Sequence, residues 1–483
     1  MNRTSSPAGA LPERSGRAPL ERRGSAGLDL FVRLDRGAVP LRAQLEEQMR
    51  DAVRSGRLAP GVVLPSSRSL ARELGVSRGV VVDAYAQLGA EGYLVARQGA
   101  PTRVSDAPSP AAGARLAASA ERPPRFDFRP GGPDVSLFPR AAWLTSLRRA
   151  LRDAPDARLD YGDPRGAPEL RVALARYLGR ARGVACDPER LVVTSGMAQG
   201  MALIARALVA QGARRIGVED PSSTPGRDQL AANGLEIVAV PVDGDGLRVD
   251  VLEARAPDAA FVAPAHQFPL GVVLAPERRA ALIEWAGRTG AVVLEDDYDA
   301  EYRYDRAPVG AVQGLAPEQV VYAGSVSKTL APGLRLGWLV VPERLAGGVV
   351  AAKASDDLGT PVVEQLALAD FLERGELDRH LRRTRAIYRG RRDALVAELA
   401  RTLPDCAPAG VAAGLHLVVH LPVDTDERAV LDRARSRGVG LYGLSEHRIE
   451  PGPPALLLGY GRIGEPAIEA AVAELAAAVR YAA

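Results

Sequence analysis

Residues 325–337 read SVSKTLAPGLRLG, and they lie just after the apolar run VVYA at residues 320–323. The run predicts a buried strand, which places Lys328 beyond the carboxyl end of that strand, where open α/β sheets bind their ligands. Lys328 is one of two lysines among 62 basic residues. Because a primary amine forms an imine with an aldehyde and a guanidinium does not, this lysine indicates an aldehyde cofactor. The alternative is a surface lysine in a polar loop.

Groups that suit a phosphate lie close to this lysine in the sequence. Ser325, Ser327 and Arg335 supply hydroxyl and cationic donors at short spacing. In residues 194–199, TSGMAQ, a predicted strand passes through a glycine turn into a helix. The first backbone amides of such a helix point to where a phosphate would lie. Both patterns favour a phosphorylated cofactor.

An acidic motif, LEDDYD at residues 294–299, also follows a predicted strand. A carboxylate below a pyridine ring keeps the ring nitrogen protonated, and a nearby tyrosine can donate to a phenolic oxygen of the ring. Asp296 and Tyr298 suit these two roles. A generic acidic loop and a divalent-cation site are the alternatives. No histidine or second acidic cluster supports the cation, so we predict no metal.

These motifs belong to a long region, residues 126–483, in which short apolar runs alternate with helical patterns. The alternation predicts a mostly parallel α/β sheet. The predicted strands are residues 191–194, 215–218, 236–240, 259–262, 291–294 and 320–323. Helices near residues 362–402 and 465–481 flank the runs at residues 415–421 and 455–460, and this pattern predicts a smaller α+β subdomain.

The beginning of the chain predicts a winged helix-turn-helix. Apolar residues four apart, from Leu41 onwards, indicate a first helix, and serines can cap two further short helices. Two short strands around a glycine turn complete the wing. Because the start of the third helix enters the major groove in this motif, Ser77 and Arg78 are predicted to lie near base edges. Arg68 and Arg97 can reach phosphates.

Charge supports this division of the 483 residues. Residues 1–105 contain 16 arginines and 10 acidic residues, a basic balance typical of a nucleic-acid module. We predict a disordered basic tail at residues 1–30, a DNA-binding domain at residues 31–105 and a linker rich in Ala, Pro and Ser at residues 106–125. Residues 126–483 form the predicted cofactor-binding and dimerisation domain.

The DNA-binding segment closely resembles the GntR family of bacterial regulators. The shared frame is LAPG…LPSSR…LA..LGVSR….AY..L..EGYL. The resemblance implies that Arg68, Ser77 and Arg78 fall on DNA-contact positions. The family often has Asn or Thr after the arginine of VSR and another polar or basic residue within the next turn. This chain has Gly79 there, followed by valine at residues 80–82.

The second region resembles fold-type I pyridoxal 5'-phosphate (PLP) enzymes of the aspartate aminotransferase group. The motifs TSGMAQ, AHQFPLG, EDDYD and SVSK…R occur in the order of that group. The resemblance implies that Lys328 is the Schiff-base lysine, Asp296 the pyridinium partner and Tyr298 the phenolate partner. It implies that Tyr161 reaches the phosphate of the neighbouring subunit. The phosphate ligands that it implies are Ser325, Ser327, Arg335 and the amides of Met197 and Ala198.

Two departures from the aminotransferase pattern concern substrate binding. The asparagine of the usual NPxG motif is replaced by Phe268, and His266 or Gln267 is expected to take its place beside the cofactor. The arginine that usually binds the substrate carboxylate is replaced by Leu457. Arg462 lies just beyond, and we predict that it binds the effector instead.

A GntR-type winged helix joined by a linker to an aminotransferase-like domain is the architecture of the MocR subfamily, which this chain resembles. The resemblance implies a PLP-dependent transcription regulator that binds a double-stranded DNA operator and senses PLP, an amine or an amino acid. It also implies control of PLP synthesis or amine metabolism, and a head-to-tail homodimer. A working aminotransferase with an added DNA-binding domain, and a DNA binder whose large domain only dimerises, are the alternatives.

The cellular location is predicted from the features of membrane and secreted proteins that the sequence does not show. No apolar run approaches the roughly 18–20 residues that span a bilayer, so no membrane partner is expected. The first residues have no apolar core typical of a secretory signal. The two cysteines, Cys186 and Cys406, are far apart, which fits a reducing compartment. We expect a cytoplasmic protein.

Overall fold

The computed structural model describes residues 32–37, 39–97, 100–106, 123–305, 309–406 and 408–480. The chain divides into two compact units, which meet in sequence at residues 121 and 122. The tail predicted at residues 1–30 and most of the linker predicted at residues 106–125 lie outside the described residues.

The first unit is the predicted winged helix-turn-helix. Its helices are α1 (Leu41–Arg54), α2 (Ser67–Leu74) and α3 (Arg78–Ala90), and its antiparallel strands are β1 (Leu94–Val95) and β2 (Arg103–Val104). Ser66 and Ser77 cap α2 and α3, because each hydroxyl oxygen accepts a hydrogen bond from a backbone amide in the first turn. Gly75, with φ +64°, ends α2 in the left-handed region. One apolar core joins the three helices and the wing.

The second unit is built on a large sheet covered by helices. Its helices are α4 (Arg140–Asp153), α5 (Pro168–Arg182), α6 (Met197–Ala210), α7 (Thr224–Ala232), α8 (Val249–Arg255), α9 (Pro276–Thr289), α10 (Glu343–Asp357), α11 (Val362–Glu373), α12 (Glu376–Thr402), α13 (Glu427–Ser436) and α14 (Glu465–Arg480). Its strands are β3 (Phe126–Asp127), β4 (Leu191–Thr194), β5 (Arg215–Asp220), β6 (Glu236–Asp243), β7 (Gly246–Leu247), β8 (Ala259–Val262), β9 (Val292–Asp297), β10 (Val320–Ser325), β11 (Gly337–Val340), β12 (Pro408–Ala409), β13 (His416–His420), β14 (Val439–Gly440), β15 (Tyr442–Gly443) and β16 (Ala455–Gly459).

The large sheet has the strand order β4-β11-β10-β9-β8-β5-β6-β7. The six predicted strands are present as β4, β5, β6, β8, β9 and β10, and the pairs from β10 to β6 are parallel, as predicted. Strand β11 was not predicted from the sequence, and it runs antiparallel between β4 and β10. It begins at the last residue of the motif SVSKTLAPGLRLG.

The smaller subdomain is also present, with one correction. Strands β12, β13, β16 and β15 form an antiparallel sheet, and buried residues of β13 and β16 share one apolar core with α12, α13 and α14. The helical stretch predicted near residues 362–402 is two helices, because Gly375 adopts φ +67° and separates α11 from α12.

The sheet topology positions the functional motifs. Strands β4, β9 and β10 run in the same direction, so that their carboxyl ends lie at one edge of the sheet. The motifs TSGMAQ, EDDYD and SVSK begin at these three ends. Among the described residues, no helix is both long and apolar enough to cross a bilayer.

Candidate functional site

A cavity of about 430 Å³ opens at this edge of the sheet. Residues from four of the predicted motifs line it, together with residues of the small subdomain. The predicted site residues in its wall are Met197, Ala198, Asp296, Tyr298, Ser325, Ser327, Lys328 and Arg335. Residues separated by more than 130 positions in the sequence therefore meet around one space.

Lys328 lies in the wall of the cavity and is half-buried. Its ammonium donates a hydrogen bond to the carbonyl oxygen of Gly131. Burial lowers the pKa of Lys328, and the carboxylates of Asp299 and Asp296 partly oppose this shift. A lysine with a lowered pKa has a larger neutral fraction, which is the form that reacts with an aldehyde.

Asp296 faces the cavity, whereas its neighbour Asp297 does not, because successive residues of β9 point to opposite faces of the sheet. Asp297 is buried and accepts hydrogen bonds from Arg182 (Nε–Oδ2, 2.6 Å) and from the hydroxyl of Tyr322 (2.7 Å). The Oδ1 atom of Asp296 is buried and has no hydrogen-bond partner among the described residues. Burial and the nearby Asp297 raise the pKa of Asp296 to about 7.

The side chain of His266 contacts two residues of the acidic motif LEDDYD. Its Nδ1 lies 3.0 Å from Oδ1 of Asp299 and 3.1 Å from the hydroxyl oxygen of Tyr298. Asp299 is fully buried, and the sequence analysis did not assign it a role. His266 does not line the cavity but contacts Tyr298, which does, and its role beside the cofactor stays a prediction.

The other candidate for the missing asparagine, Gln267, is used by the fold. Its side-chain amide donates to the carbonyl oxygens of Pro221 and Phe268, and its Oε1 accepts from the amide of Leu270. Gln267 is buried and does not line the cavity. The prediction that Gln267 replaces the asparagine is therefore not supported by its contacts.

Two histidines from the small subdomain are close to the site, which the sequence analysis did not foresee. The rings of His416 and His447 contact Phe268 edge to face, with centroid distances of 5.1 and 5.2 Å. Ligand atoms of His266, Asp299 and His416 lie within 4.8 Å of one another. Hydrogen bonds already account for this arrangement, because His266 binds Asp299 and His416 Nε2 lies 3.1 Å from the Pro269 carbonyl oxygen.

The wall of the cavity also contains groups that suit an anion, which we call the anion cup. It consists of the amino terminus of α6, the hydroxyls of Ser325 and Ser327, and the guanidinium of Arg335. Arg335 is held by a 2.6 Å hydrogen bond from Nη2 to the carbonyl oxygen of Ser195. Gly196 has φ +86°, and a Cβ atom there would lie 2.8 Å from Arg335 Nη2. A glycine is therefore required where the arginine crosses the loop.

A chain of hydrogen bonds connects this cup to the second lysine. Gln199, in the first turn of α6, accepts from the amide of Ser195 through Oε1 (2.8 Å) and donates through Nε2 to Asp357 (2.8 Å). Lys353 donates to both carboxylate oxygens of Asp357 and is fully buried. Both lysines of the sequence are thus connected to the same site.

Besides His266, two further predicted site residues lie outside the cavity wall. Tyr161 is 85% exposed and lines a separate surface depression. Arg462 lies close to Gly132, and its Nη1 is 3.6 Å from Oδ2 of Asp127. The position of the usual substrate arginine, Leu457, is fully buried in an apolar cluster.

The predicted DNA contacts of the first unit are all exposed. Arg68, Ser77, Arg78 and Arg97 lie at the surface. The hydroxyl oxygen of Ser77 accepts from the amide of Val80 (3.4 Å), and Nε of Arg78 donates to Ser67 (3.4 Å). The turn of the wing, including Gly99, lies outside the described residues.

Comparisons with known proteins agree with both units. Residues 41–104 match the family described as "Bacterial regulatory proteins, gntR family", and residues 136–442 match "Aminotransferase class I and II". The chain is 35% identical over 454 residues to the probable rhizopine catabolism regulatory protein MocR of Rhizobium meliloti, covering 89% of this chain and 92% of that protein.

Two further relatives extend this result. The pyridoxine biosynthesis transcriptional regulator PdxR of Corynebacterium glutamicum is 35% identical over 444 residues, which cover 90% of this chain and 95% of that protein. Among solved structures, an archaeal alanine:glyoxylate aminotransferase superimposes with a TM-score of 0.69 and 27% identity, covering 74% of this chain and 91% of that one.

Proposed function

We propose, for a chain that belongs to the MocR-type regulators of the GntR family, that PLP held in the cavity at Lys328 controls how the winged helix binds its operator. One observation carries this proposal. Lys328, Asp296 and the anion cup all lie in the wall of one cavity of about 430 Å³.

The residues fit this cofactor. The buried Oδ1 atom of Asp296 lacks a partner, and a protonated pyridine nitrogen would supply one. Lys328 is the amine in the same wall. PLP, when bound, supplies an aldehyde that condenses reversibly with primary amines, including an amine effector.

The surrounding side chains hold and orient the ligand. Asp296 would keep a proton on the ring nitrogen, since its Oδ1 atom has no hydrogen-bond donor among the described residues. Tyr298, which contacts His266, would donate from its hydroxyl to the phenolic oxygen of the ring. The phosphate would be held by Ser325, Ser327, Arg335 and the Met197 and Ala198 amides at the start of α6.

Regulation requires that the ligand distinguish two arrangements of the protein. Ligand binding changes operator affinity only if it binds the DNA-competent arrangement more tightly, or less tightly, than the other. We propose that the effector is PLP itself, an amine or an amino acid, and that the protein acts in the cytoplasm as a head-to-tail homodimer. Relatives named for pyridoxine biosynthesis and rhizopine catabolism suggest genes of PLP synthesis or amine use as targets.

The contacts of the substrate side favour a regulator over a working aminotransferase. Leu457 is buried where an arginine would bind the substrate carboxylate, and Phe268 replaces the asparagine beside the ring. Transamination of a keto-acid acceptor at ordinary enzyme turnover would reverse this preference.

The first experiment measures cofactor binding. Full-length protein is dialysed, titrated with PLP and followed by visible absorbance, then reduced with borohydride and mapped by mass spectrometry. We expect the label on Lys328 and not on Lys353, which serves as an internal control. A label on Lys353, or an unchanged spectrum after PLP addition, would contradict the site.

The second experiment measures regulation. Operator DNA, isolated from a random duplex library by the full-length protein, is titrated with and without PLP. We expect the affinity of wild-type protein to change with PLP, and the affinity of Lys328→Ala to stay constant. If PLP leaves both proteins unchanged, the cavity binds its ligand without controlling DNA.

A further inference from the structure

The exposed face at the start of the recognition helix α3 combines one cation and one carboxylate with a glycine and an exposed valine. Its inward face is formed by Val81, Ala84 and Leu88, which are buried in the core of the unit. On the opposite side, the exposed residues of the first two turns and the next residue on that face are Arg78, Gly79, Val82, Asp83 and Ala86. Arg78 is the sole cation among them.

Neither the backbone conformation nor the packing of the described residues requires a glycine at position 79. Its backbone is helical, and a Cβ atom there would meet Ser77 Oγ alone, at 3.8 Å. Glycine inside a helix costs about 1 kcal/mol relative to alanine. Since the fold of the unit does not need this residue, the reason for it lies in what approaches the outer face.

Val82 is the exposed apolar side chain that follows Gly79 on this face of α3. It is 42% exposed, lies one turn after Arg78, and has no place in the core of the unit. The major groove presents one apolar group, the 5-methyl of thymine, among its hydrogen-bonding edges. In a helix-turn-helix protein, the amino-terminal part of the recognition helix lies against those edges.

We infer that α3 reads thymine methyl groups through Val82, and that Gly79 allows the helix backbone to approach the bases closely enough for this contact. Arg78 supplies hydrogen-bond donors at the start of this face and pairs with a guanine or a phosphate beside the thymine. The operator half-site therefore contains a thymine that is recognised by its methyl group. This inference rests on the proposed placement of α3 in the major groove.

Replacement of thymine by uracil tests the contact, because it removes the methyl group and leaves the hydrogen-bonding edge unchanged. A duplex selected from a random library by full-length protein is resynthesised with uracil at each thymine in turn, and affinities are measured by fluorescence anisotropy. We expect one position per half-site at which uracil weakens wild-type binding about fourfold, the value for one buried methyl group.

Two variants assign the effect to α3. Val82→Ala should bind the thymine duplex about fourfold more weakly than wild type and should be insensitive to uracil at that position. The matched control is Val423→Ala, an equal truncation at a 79% exposed residue of the second unit, which should behave as wild type. If uracil has no effect at any position, or the same effect on Val82→Ala, the inference is wrong.

Gly79→Ala provides a second, independent readout. Alanine should raise the unfolding midpoint of the protein, because it favours the helix, and should weaken binding of the selected duplex at least tenfold. Unchanged affinity would contradict the close approach. If wild-type protein binds neither selected nor random duplexes, the proposed placement of α3 on DNA is wrong. If it binds DNA but its affinity does not depend on a thymine methyl group, only this inference is wrong.

Discussion

The ammonium of Lys353 lies 2.7 Å from both carboxylate oxygens of Asp357, and the two residues differ strongly in burial. The Lys353 side chain is fully buried, whereas that of Asp357 is 28% exposed. Asp357 also accepts from Gln199, which holds the Ser195 amide at the anion cup. This pair therefore links the stability of the unit to the loop that would hold the phosphate.

Because Lys353 is more deeply buried than Asp357, we expect substitutions of the two residues to lower the free energy of unfolding by different amounts. Asp357→Asn leaves a buried ammonium without a counter-charge, and we expect it to lower the free energy of unfolding by about 3 kcal/mol. Lys353→Met leaves a carboxylate that water can reach, and we expect a loss below about 1 kcal/mol. Urea denaturation of the PLP-free protein measures both values, and equal losses would contradict the explanation.

The same pair should affect cofactor binding through Gln199. We expect Asp357→Asn to weaken PLP binding several-fold, because the Ser195 loop loses its support. The matched control is Asp356→Asn, which breaks the adjacent pair with Arg206 and has no contact with the loop. Absorbance titration gives the dissociation constants. Equal weakening in both variants would indicate a general loosening of the helix.

The raised pKa of Asp296 predicts a pH dependence of stability in the PLP-free protein. Its pKa is about 7 in the fold and about 3.9 in an unfolded chain, so the folded protein binds the proton more tightly. The resulting stabilisation is complete below pH 4 and is lost as the pH rises to about 7. Asn does not titrate, and Asp296→Asn should gain up to about 4 kcal/mol relative to wild type between pH 4 and pH 8.

Urea denaturation at several pH values, without PLP, measures this difference. The comparison with wild type is needed because other buried carboxyls, such as Glu219 and Glu295, also have raised pKa values. PLP binding by Asp296→Asn should be weaker than wild type throughout the pH range. Parallel stability curves for the two proteins would show that Asp296 is ionised in the fold.

The exposed position of Tyr161 leads us to predict a PLP site to which two subunits contribute residues. Its ring is exposed in the single chain, as expected for a residue that serves a neighbouring subunit. We expect Tyr161→Phe homodimers to bind PLP weakly and Lys328→Ala homodimers not to retain it. A mixed dimer of the two variants should bind one PLP per two chains with wild-type affinity, since one of its sites is intact. Differently tagged subunits allow its isolation, and weak binding by the mixed dimer would place Tyr161 outside the site.

The position of Arg462 leads us to predict that the effector carries a carboxylate group. The side chain of Arg462 is 45% exposed and lies beside Asp127, and its charge is close enough to Lys328 to add to the effect of burial in lowering the pKa of that lysine. Arg462→Leu should lower the response to an amino acid at least tenfold, since a charge-assisted hydrogen bond is lost. The response to the corresponding amino alcohol should change less than about twofold. Operator affinity reports both responses, and Arg462→Lys is the charge-preserving control. Equal losses for the two ligands would rule out a carboxylate contact.

Local signals in the sequence were sufficient for much of this description. Serine caps and glycine stops located α2 and α3, and apolar runs located six of the eight strands of the large sheet. Lys328, Asp296 and Tyr298 were identified because each lies near the end of a predicted strand, and parallel strands bring those ends to one edge. The two missed strands are antiparallel to their neighbours, and one of them, β11, directly follows a functional loop.

The sequence alone determined the two-part organisation and was sufficient to predict the cofactor lysine and the residue types around it, because these predictions depend on short-range patterns and on irreplaceable chemistry. Tertiary structure decided which groups support them. Asp299 and His416 join His266, and Lys353 reaches Ser195, through contacts between residues far apart in the chain. No local periodicity encodes such pairs, since they arise when distant elements pack and buried polar groups must find hydrogen-bond partners.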